Sequence, residues 1–262
     1  MASQPKDVAQ TLTGKVALVS GSSSGIGKAV AVELSRRGAS IVLNYPFSDL
    51  KAEADEVLAG LRSDVKSVAV EADLSTTTGP SRLIDEAVAV FGHIDILVNN
   101  AGRAGDKPLE DVTLHDWDSM INLNARGTLL LTQAALKHLS RQNSRIVNIT
   151  SSTARDAQAN FTVYSGTKAM IDLFTRVWAK ELPRKYGCTV NSVAPGPVNT
   201  EMMMAAPEEF KKGIQSLVEH TPVAPRMAHT WEIGYLVAML CEEGAGWANG
   251  VYLVGAGGLN VG

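Results

Sequence analysis

At 262 residues, 45% hydrophobic and 19% charged, the chain has the composition of a folded globular protein, which excludes a disordered or low-complexity chain. A net charge of −3 leaves no basic surplus to neutralise nucleic-acid phosphates. Cys188, Cys241 and five scattered histidines lack disulfide or metal-ligand spacing, and no stretch reaches the ~18 apolar residues of a membrane helix, so the expectation is a soluble cytoplasmic protein without metal, nucleic-acid or membrane partners.

A polar arm over residues 1–12 precedes residues 13–262, which read as one domain without internal repeats. Lys15–Ser20 reads as a short buried strand, and the glycine-rich turn Gly21–Gly27 leads into an apolar-periodic helix ending near Gly38. The alternation repeats with strand Ile41–Asn44, helix Leu50–Leu61, strand Ser67–Glu71, helix Ser81–Phe91 and strand Ile94–Asn99. Beyond it, Thr113 and Asp116 have capping-box spacing at the start of a long helix predicted to reach Leu139. Strand Arg145–Thr150, helix Thr162–Glu181 ending before Pro183, and strand Thr189–Val193 follow. Ala194–Arg226 is Pro-rich and reads as irregular, with residues 197–226 a substrate lid; helix Trp231–Leu240 and strand Val251–Val254 close the chain. Alternating strands and helices predict an α/β fold, a Rossmann-type doubly wound parallel sheet of about seven strands with helices on both faces.

The turn Gly21-Ser22-Ser23-Ser24-Gly25-Ile26-Gly27 lies where a strand hands over to a helix, so its N–H groups and the positive helix end can face a pyrophosphate; a plain structural tight turn would look the same. Tyr164 and Lys168 stand four apart on one helix face, where an adjacent ammonium would lower the phenol pKa, although the pattern also arises by chance. Ser151 stands thirteen residues before Tyr164, with Ser152 as its rival.

With Asp73-Leu74, Asn99-Asn100-Ala101-Gly102, Asn124-Ala125-Arg126-Gly127 and Pro195-Gly196-Pro197-Val198-Asn199-Thr200 added in order, the chain resembles the short-chain dehydrogenase/reductase family, whose usual fingerprint Thr-Gly-x-x-x-Gly-x-Gly has Ser20 in place of its threonine. The resemblance implies a catalytic tetrad of Asn124, Ser151, Tyr164 and Lys168, with Tyr164 as acid/base, Ser151 on the substrate oxygen, and Lys168 on the nicotinamide ribose. Asn124 would hold a water linked to the lysine. It also implies cofactor contacts at Gly21, Ser23, Ser24, Gly25, Ile26 and Gly27, at Asp73 and Leu74 for adenine, and at Asn100, Ala101 and Gly102. Pro195, Gly196, Val198 and Thr200 would run past the nicotinamide.

In NAD-dependent relatives a carboxylate closes the second strand; here that position is Tyr45, followed by Ser48, so NADP(H), as NADPH, is the expected cofactor, bound through neutral donors such as Ser22, Ser24 and Ser48. The apolar run Met202–Ala206 with Phe210 suits a hydrophobic or aromatic ketone, and the stretches Tyr164-Ser165-Gly166-Thr167-Lys168 and Gly246-Trp247-Ala248-Asn249-Gly250 look similar to fungal polyhydroxynaphthalene reductases, while the general pattern also looks like 3-oxoacyl-carrier-protein reductases. Arg155 and Asp156 are candidates to touch a polar substituent. Surplus apolar residues on the two long helices suggest a homodimer or homotetramer. The alternatives are a same-fold epimerase, dehydratase or cyclase using transient redox chemistry, and a non-catalytic NADP-binding protein.

Overall fold

The structure, a computed structural model, describes residues 4, 5 and 7–260. Residues 1–3 and 6 of the expected polar arm, and residues 261–262 at the other end, lie outside the described residues.

In chain order the first half contains β1 (Val16–Val19), α1 (Gly25–Arg36), β2 (Ser40–Tyr45), α2 (Lys51–Ala59), β3 (Val68–Glu71), α3 (Gly79–Phe91) and β4 (Ile96–Asn99). The second half contains α4 (Leu114–Met120), α5 (Thr128–Ala135), β5 (Ser144–Ile149), α6 (Thr162–Glu181), α7 (Pro183–Tyr186), β6 (Cys188–Pro195), β7 (Val198–Asn199), α8 (Glu201–Met204), α9 (Glu208–Glu219), β8 (Ala228–His229), α10 (Thr230–Cys241) and β9 (Tyr252–Gly255). Seven strands form one parallel sheet in the order β3-β2-β1-β4-β5-β6-β9, while β7 and β8 pair apart from it.

Successive side chains of a strand point to opposite faces, and here both faces are covered. Ala17 and Val19 of β1, Ile41 and Leu43 of β2, and Ile96 and Val98 of β4 pack under α1, α2 and α10, against Val30, Leu34, Val57 and Val237. Their neighbours Leu18, Val42 and Leu97 face the other way, towards α3, α5 and α6, against Leu83, Leu131 and Trp178. Near-continuous apolar runs are therefore what a doubly covered strand requires. The strand order reverses between β1 and β4, which opens a crevice at their carboxyl ends, where ligands bind in such sheets.

Three expectations change. The helix expected over residues 113–139 starts as predicted, with Thr113 and Asp116 each bonded to the other's main chain, but it is interrupted by a π-helical stretch, Ile121–Gly127, and ends in a tight 3-10 turn, Leu136–His138. A π-bulge widens one turn, and such bulges recur at functional sites. The segment expected to be irregular instead carries β7, α8 and α9, because Thr200 caps α8 by accepting from Met203 N–H at 3.1 Å and Pro207 stands at the start of α9, where its missing N–H costs nothing. Finally, helix resumes after Pro183 as the single turn α7. Among the described residues no helix is long and apolar enough to cross a membrane, and no cluster of His, Cys, Asp and Glu could hold a metal ion.

Beneath the crevice a buried polar ladder ties the layers together. Asn99 Nδ2 donates to Thr132 Oγ1 at 2.9 Å and to Asn148 Oδ1 at 2.8 Å; Asn148 Nδ2 donates to Thr175 Oγ1 at 2.8 Å, which in turn donates to Ile171 O at 2.9 Å. Asn148 is wholly buried, so replacing it takes one buried partner from Asn99 and one from Thr175. Asn148→Ala is expected to cost on the order of 2–4 kcal/mol, a fall in Tm of roughly 5–12 °C, measured by calorimetry; an unchanged Tm would contradict the ladder's role.

Candidate active site

The turn after β1 is held by Ser20 and Asn44, which the expected contact set did not include, together with Asn100, which it did. Ser20 Oγ accepts from the N–H groups of Asn100 and Ala101, both at 3.0 Å, and Asn100 Nδ2 returns bonds to Ser20 O and Gly21 O at 2.9 Å. Asn44, at the end of β2, accepts from Gly21 N–H through its side-chain oxygen at 3.0 Å and spends its amide N–H on main-chain carbonyls, Ala72 O at 3.0 Å among them. A Cβ on Gly27 would stand 2.2 Å from Gly21 O, so the turn can close onto α1 only with glycine there.

Above this turn runs a cleft of about 760 Å³, within the range of small-molecule sites. Of the expected cofactor residues, Gly21, Ser23, Ser24, Gly25, Ile26, Gly27, Asp73, Leu74, Asn100, Ala101, Gly102, Pro195, Gly196, Val198 and Thr200 line it, as do Ser151, Tyr164 and Lys168. Bare main chain at the helix start, together with a cradle that side chains would fill, fits the diphosphate of a dinucleotide. Tyr45 and Ser48 do not line the cleft: Tyr45 is 5% exposed, and Pro46, Phe47 and Leu50 form the wall instead. Ser22 is buried, donating to Val19 O and accepting from Asn44 N–H, so its hydroxyl is not free for a phosphate. Asn99 likewise belongs to the ladder.

The catalytic candidates converge from three elements. Ser151 follows β5 and caps the 3-10 turn Ser152–Ala154 through Thr153 N–H; Ser152 does not line the cleft. Tyr164 and Lys168 sit one turn apart on α6, with the ammonium 5.9 Å from the phenol ring centroid and donating to Ile149 O at 2.9 Å. Asn124 occupies the π-helical stretch, fully buried, its Oδ1 accepting from Arg103 N–H at 2.9 Å and its Nδ2 donating to Arg103 O and Thr167 Oγ1. The Asn124 side chain thus shapes the loop after β4. Gly102 lies between the two: a Cβ there would meet Asn124 Oδ1 at 3.2 Å and Lys168 Nζ at 3.5 Å.

Electrostatics also differ from expectation. Burial pushes the Tyr164 phenol above its ordinary value, and the hydrogen bond with Ser151 pulls in the opposite direction without reversing it. Burial brings Lys168 down to about 8, since its ammonium has one carbonyl and no carboxylate to offset lost hydration. The expected lowering of the phenol by the lysine is therefore not the dominant effect in the cofactor-free protein.

Two groups at the cleft, Phe161 and Glu201, escaped the sequence reading, whereas Met202, Met203 and Phe210 were expected there. Phe161 packs edge-on to Tyr164 with ring centroids 5.8 Å apart, and Phe210 of α9 tilts against Phe161 at 6.0 Å, closing an aromatic wall with Met202 and Met203. The spacing of Phe161, three residues before Tyr164 at the start of a helix, was the available signal. Glu201, from α8, accepts the Gly25 N–H at 3.0 Å and so occupies a donor of the glycine turn. Arg155 and Asp156 do not reach the cleft; Arg155 pairs with Asp172, and Asp156 accepts from Asn260.

A family model described as Enoyl-(Acyl carrier protein) reductase matches residues 21–260. The chain is 41% identical over 254 residues to the short-chain dehydrogenase/reductase FrzI of Cladobotryum sp, covering 95% of this chain and 97% of that protein. It is 38% identical over 269 residues to the hydroxynaphthalene reductase-like protein Arp2 of Metarhizium robertsii, covering 97% of each. The crystal structure of a short chain dehydrogenase from Burkholderia cenocepacia in complex with NADP is similar at a TM-score of 0.87 and 32% identity, over 96% of this chain and 100% of that one.

Lys168 gives a stability test. Its folded value of about 8 lies below the ordinary 10.5, so its charge costs stability fully below pH 8, and the cost fades as pH rises from 8 towards 10.5. Lys168→Met is expected to stabilise the cofactor-free protein at pH 7 by about 1–3 kcal/mol, with the gain shrinking by pH 10 in denaturant titrations. A destabilised variant at pH 7 would refute this balance.

Proposed function

The chain belongs to the short-chain dehydrogenase/reductase family, and from that premise we propose that it is an NADP(H)-dependent oxidoreductase reducing the carbonyl of a hydrophobic, aromatic ketone. The observation that carries the reading is that Ser151, Tyr164 and Lys168 share one cleft with the glycine turn.

When bound, the nicotinamide supplies the hydride in reduction or accepts it in oxidation. Tyr164 gives its proton to the substrate oxygen as negative charge develops there, and the Ser151 hydroxyl donates a hydrogen bond to the same atom. Lys168, its ammonium anchored on Ile149 O, lends positive charge to the face from which that proton leaves. Asn124 holds the Arg103 main chain and thereby the loop that walls the site. Desolvation keeps Tyr164 protonated at neutral pH, the state a reductase needs.

Two observations support the finer terms. The Phe161–Tyr164–Phe210 cluster and the methionines of the lid offer flat, adaptable apolar walls, and one relative is named for hydroxynaphthalene reduction. At the end of β2 the wall is Pro46 and Phe47, with no carboxylate to repel a 2′-phosphate, and one relative was solved with NADP. Exposed Leu129, Met170, Leu173 and Val177 on α5 and α6 support a homo-oligomer.

A panel of aromatic ketones and o-quinones, 9,10-phenanthrenequinone included, followed at the dihydronicotinamide absorbance tests the reading. Tyr164→Phe is expected to lower kcat by ~10²–10⁴ while NADPH still binds by fluorescence titration; near-normal turnover would refute the assignment. Wild-type kcat/KM is expected to favour NADPH over NADH by ~10–100-fold, about 1.4–2.8 kcal/mol. Because Phe47 rather than Tyr45 faces the cleft, Phe47→Asp should shift the ratio towards NADH, and an unmoved ratio would count against a 2′-phosphate pocket there.

A further inference from the structure

Ser151 is held from a strand a hundred residues further along the chain. Tyr252, on β9, donates its hydroxyl to the Ser151 main-chain carbonyl at 2.7 Å. The Arg155 guanidinium carbon lies 3.9 Å from the Tyr252 ring centroid, a cation–π stack. That same guanidinium donates from Nε and Nη2 to Asp172 Oδ2 and Oδ1, at 3.0 and 3.3 Å, forming a two-point pair. Asp172 is 2% exposed and takes a second cation, Arg176, at 3.3 Å. It stands on α6 one turn beyond Lys168, so the contacts run unbroken from the serine loop, through β9, to the helix bearing Tyr164 and Lys168.

From this geometry, resting on the reading of Ser151 and Tyr164 as catalytic, we propose that Tyr252 is a positioning residue: its hydroxyl fixes the Ser151 main chain, and the Arg155–Asp172 pair keeps that anchor in register with α6. Locally, the Ser151 main chain is held by its own short turn, in which Ala154 N–H reaches the same carbonyl at 2.9 Å. A hydroxyl that must meet a substrate oxygen beside Tyr164 needs tighter placement, because misplacement by about 1 Å can cost 10²-fold in rate. The Tyr252 phenol suits the task. Burial pushes it up to about 12, opposed by Arg155 and reinforced by Asp172 and Asp156, so it remains a donor across the neutral and mildly alkaline range.

Tyr252→Phe keeps the ring and its stack on Arg155 and removes only the donor. With the ketone or quinone of the panel that the wild type reduces fastest, the expected result is a ~10–100-fold fall in kcat, KM within about threefold, and an unchanged Kd for NADPH by fluorescence. The decisive comparison is a double-mutant cycle. If Tyr252 acts through Ser151, adding Tyr252→Phe to Ser151→Ala costs no more than about twofold beyond Ser151→Ala alone. Arg155→Met should show the same loss of kcat, again absent in the Ser151→Ala background. A kcat unchanged in Tyr252→Phe, or a full loss that persists in the Ser151→Ala background, overturns the inference. If Ser151→Ala itself leaves kcat intact, or the wild type reduces none of the panel, the reading of the site falls and this inference with it.

Discussion

The hydroxyl of Ser20 holds the crevice in shape. By accepting two consecutive N–H groups, from Asn100 and Ala101, it joins the end of β1 to the end of β4 at the point where the strand order reverses. Strands that diverge there would leave unpaired main-chain groups over the sheet, which a buried backbone does not tolerate. Ser20 on one side and Asn44 on the other convert those groups into a rigid rim, and the glycine turn is the part of the rim left facing outward. Everything downstream, from the bare start of α1 to the loop carrying Gly102 between Asn124 and Lys168, is positioned from that rim.

The local half of the architecture was legible in the amino-acid order. A strand buried on both faces carries a near-continuous apolar run, so β1, β2 and β4 declare themselves, and a glycine turn between strand and helix declares the crevice. Spacing along a single helix likewise brings Tyr164 and Lys168 to one face. What escaped depends on contacts between distant segments. Nothing near Asn124 in sequence announces that its amide is spent on Arg103 and Thr167, or that its turn widens into a π-bulge. Tyr45 sits at the counted position, but its ring is buried and the chain turns over it, leaving Pro46 and Phe47 at the wall. The lid helices were hidden by prolines, which read as breakers in the middle of a helix and as starters at Pro207. Tyr252 could not be foreseen from its own strand, because its partner lies on a loop reached only after the sheet has assembled.

Desolvation governs the charge state of the site. A lysine four residues from a tyrosine suggests a pair that lowers the phenol, yet in the cofactor-free protein both groups respond first to the loss of water, the lysine towards neutrality and the tyrosine towards its protonated form. The protein carries a costly ammonium at a place where a more stable fold would put a methyl group, a pattern common where function and stability compete.

Glu201 extends this view to the lid. Its carboxylate sits on the Gly25 N–H, a donor that any anion entering the turn would also want. Two acceptors cannot share that donor at full strength, so the start of α8 and the occupancy of the turn are thermodynamically linked: an anion that takes the N–H weakens the lid's hold on the turn, and a lid anchored there weakens the anion by the same factor. The cleft is thus bonded to itself, and the helix bearing its methionines is tied to the glycine-turn end of the crevice as well as to the aromatic end.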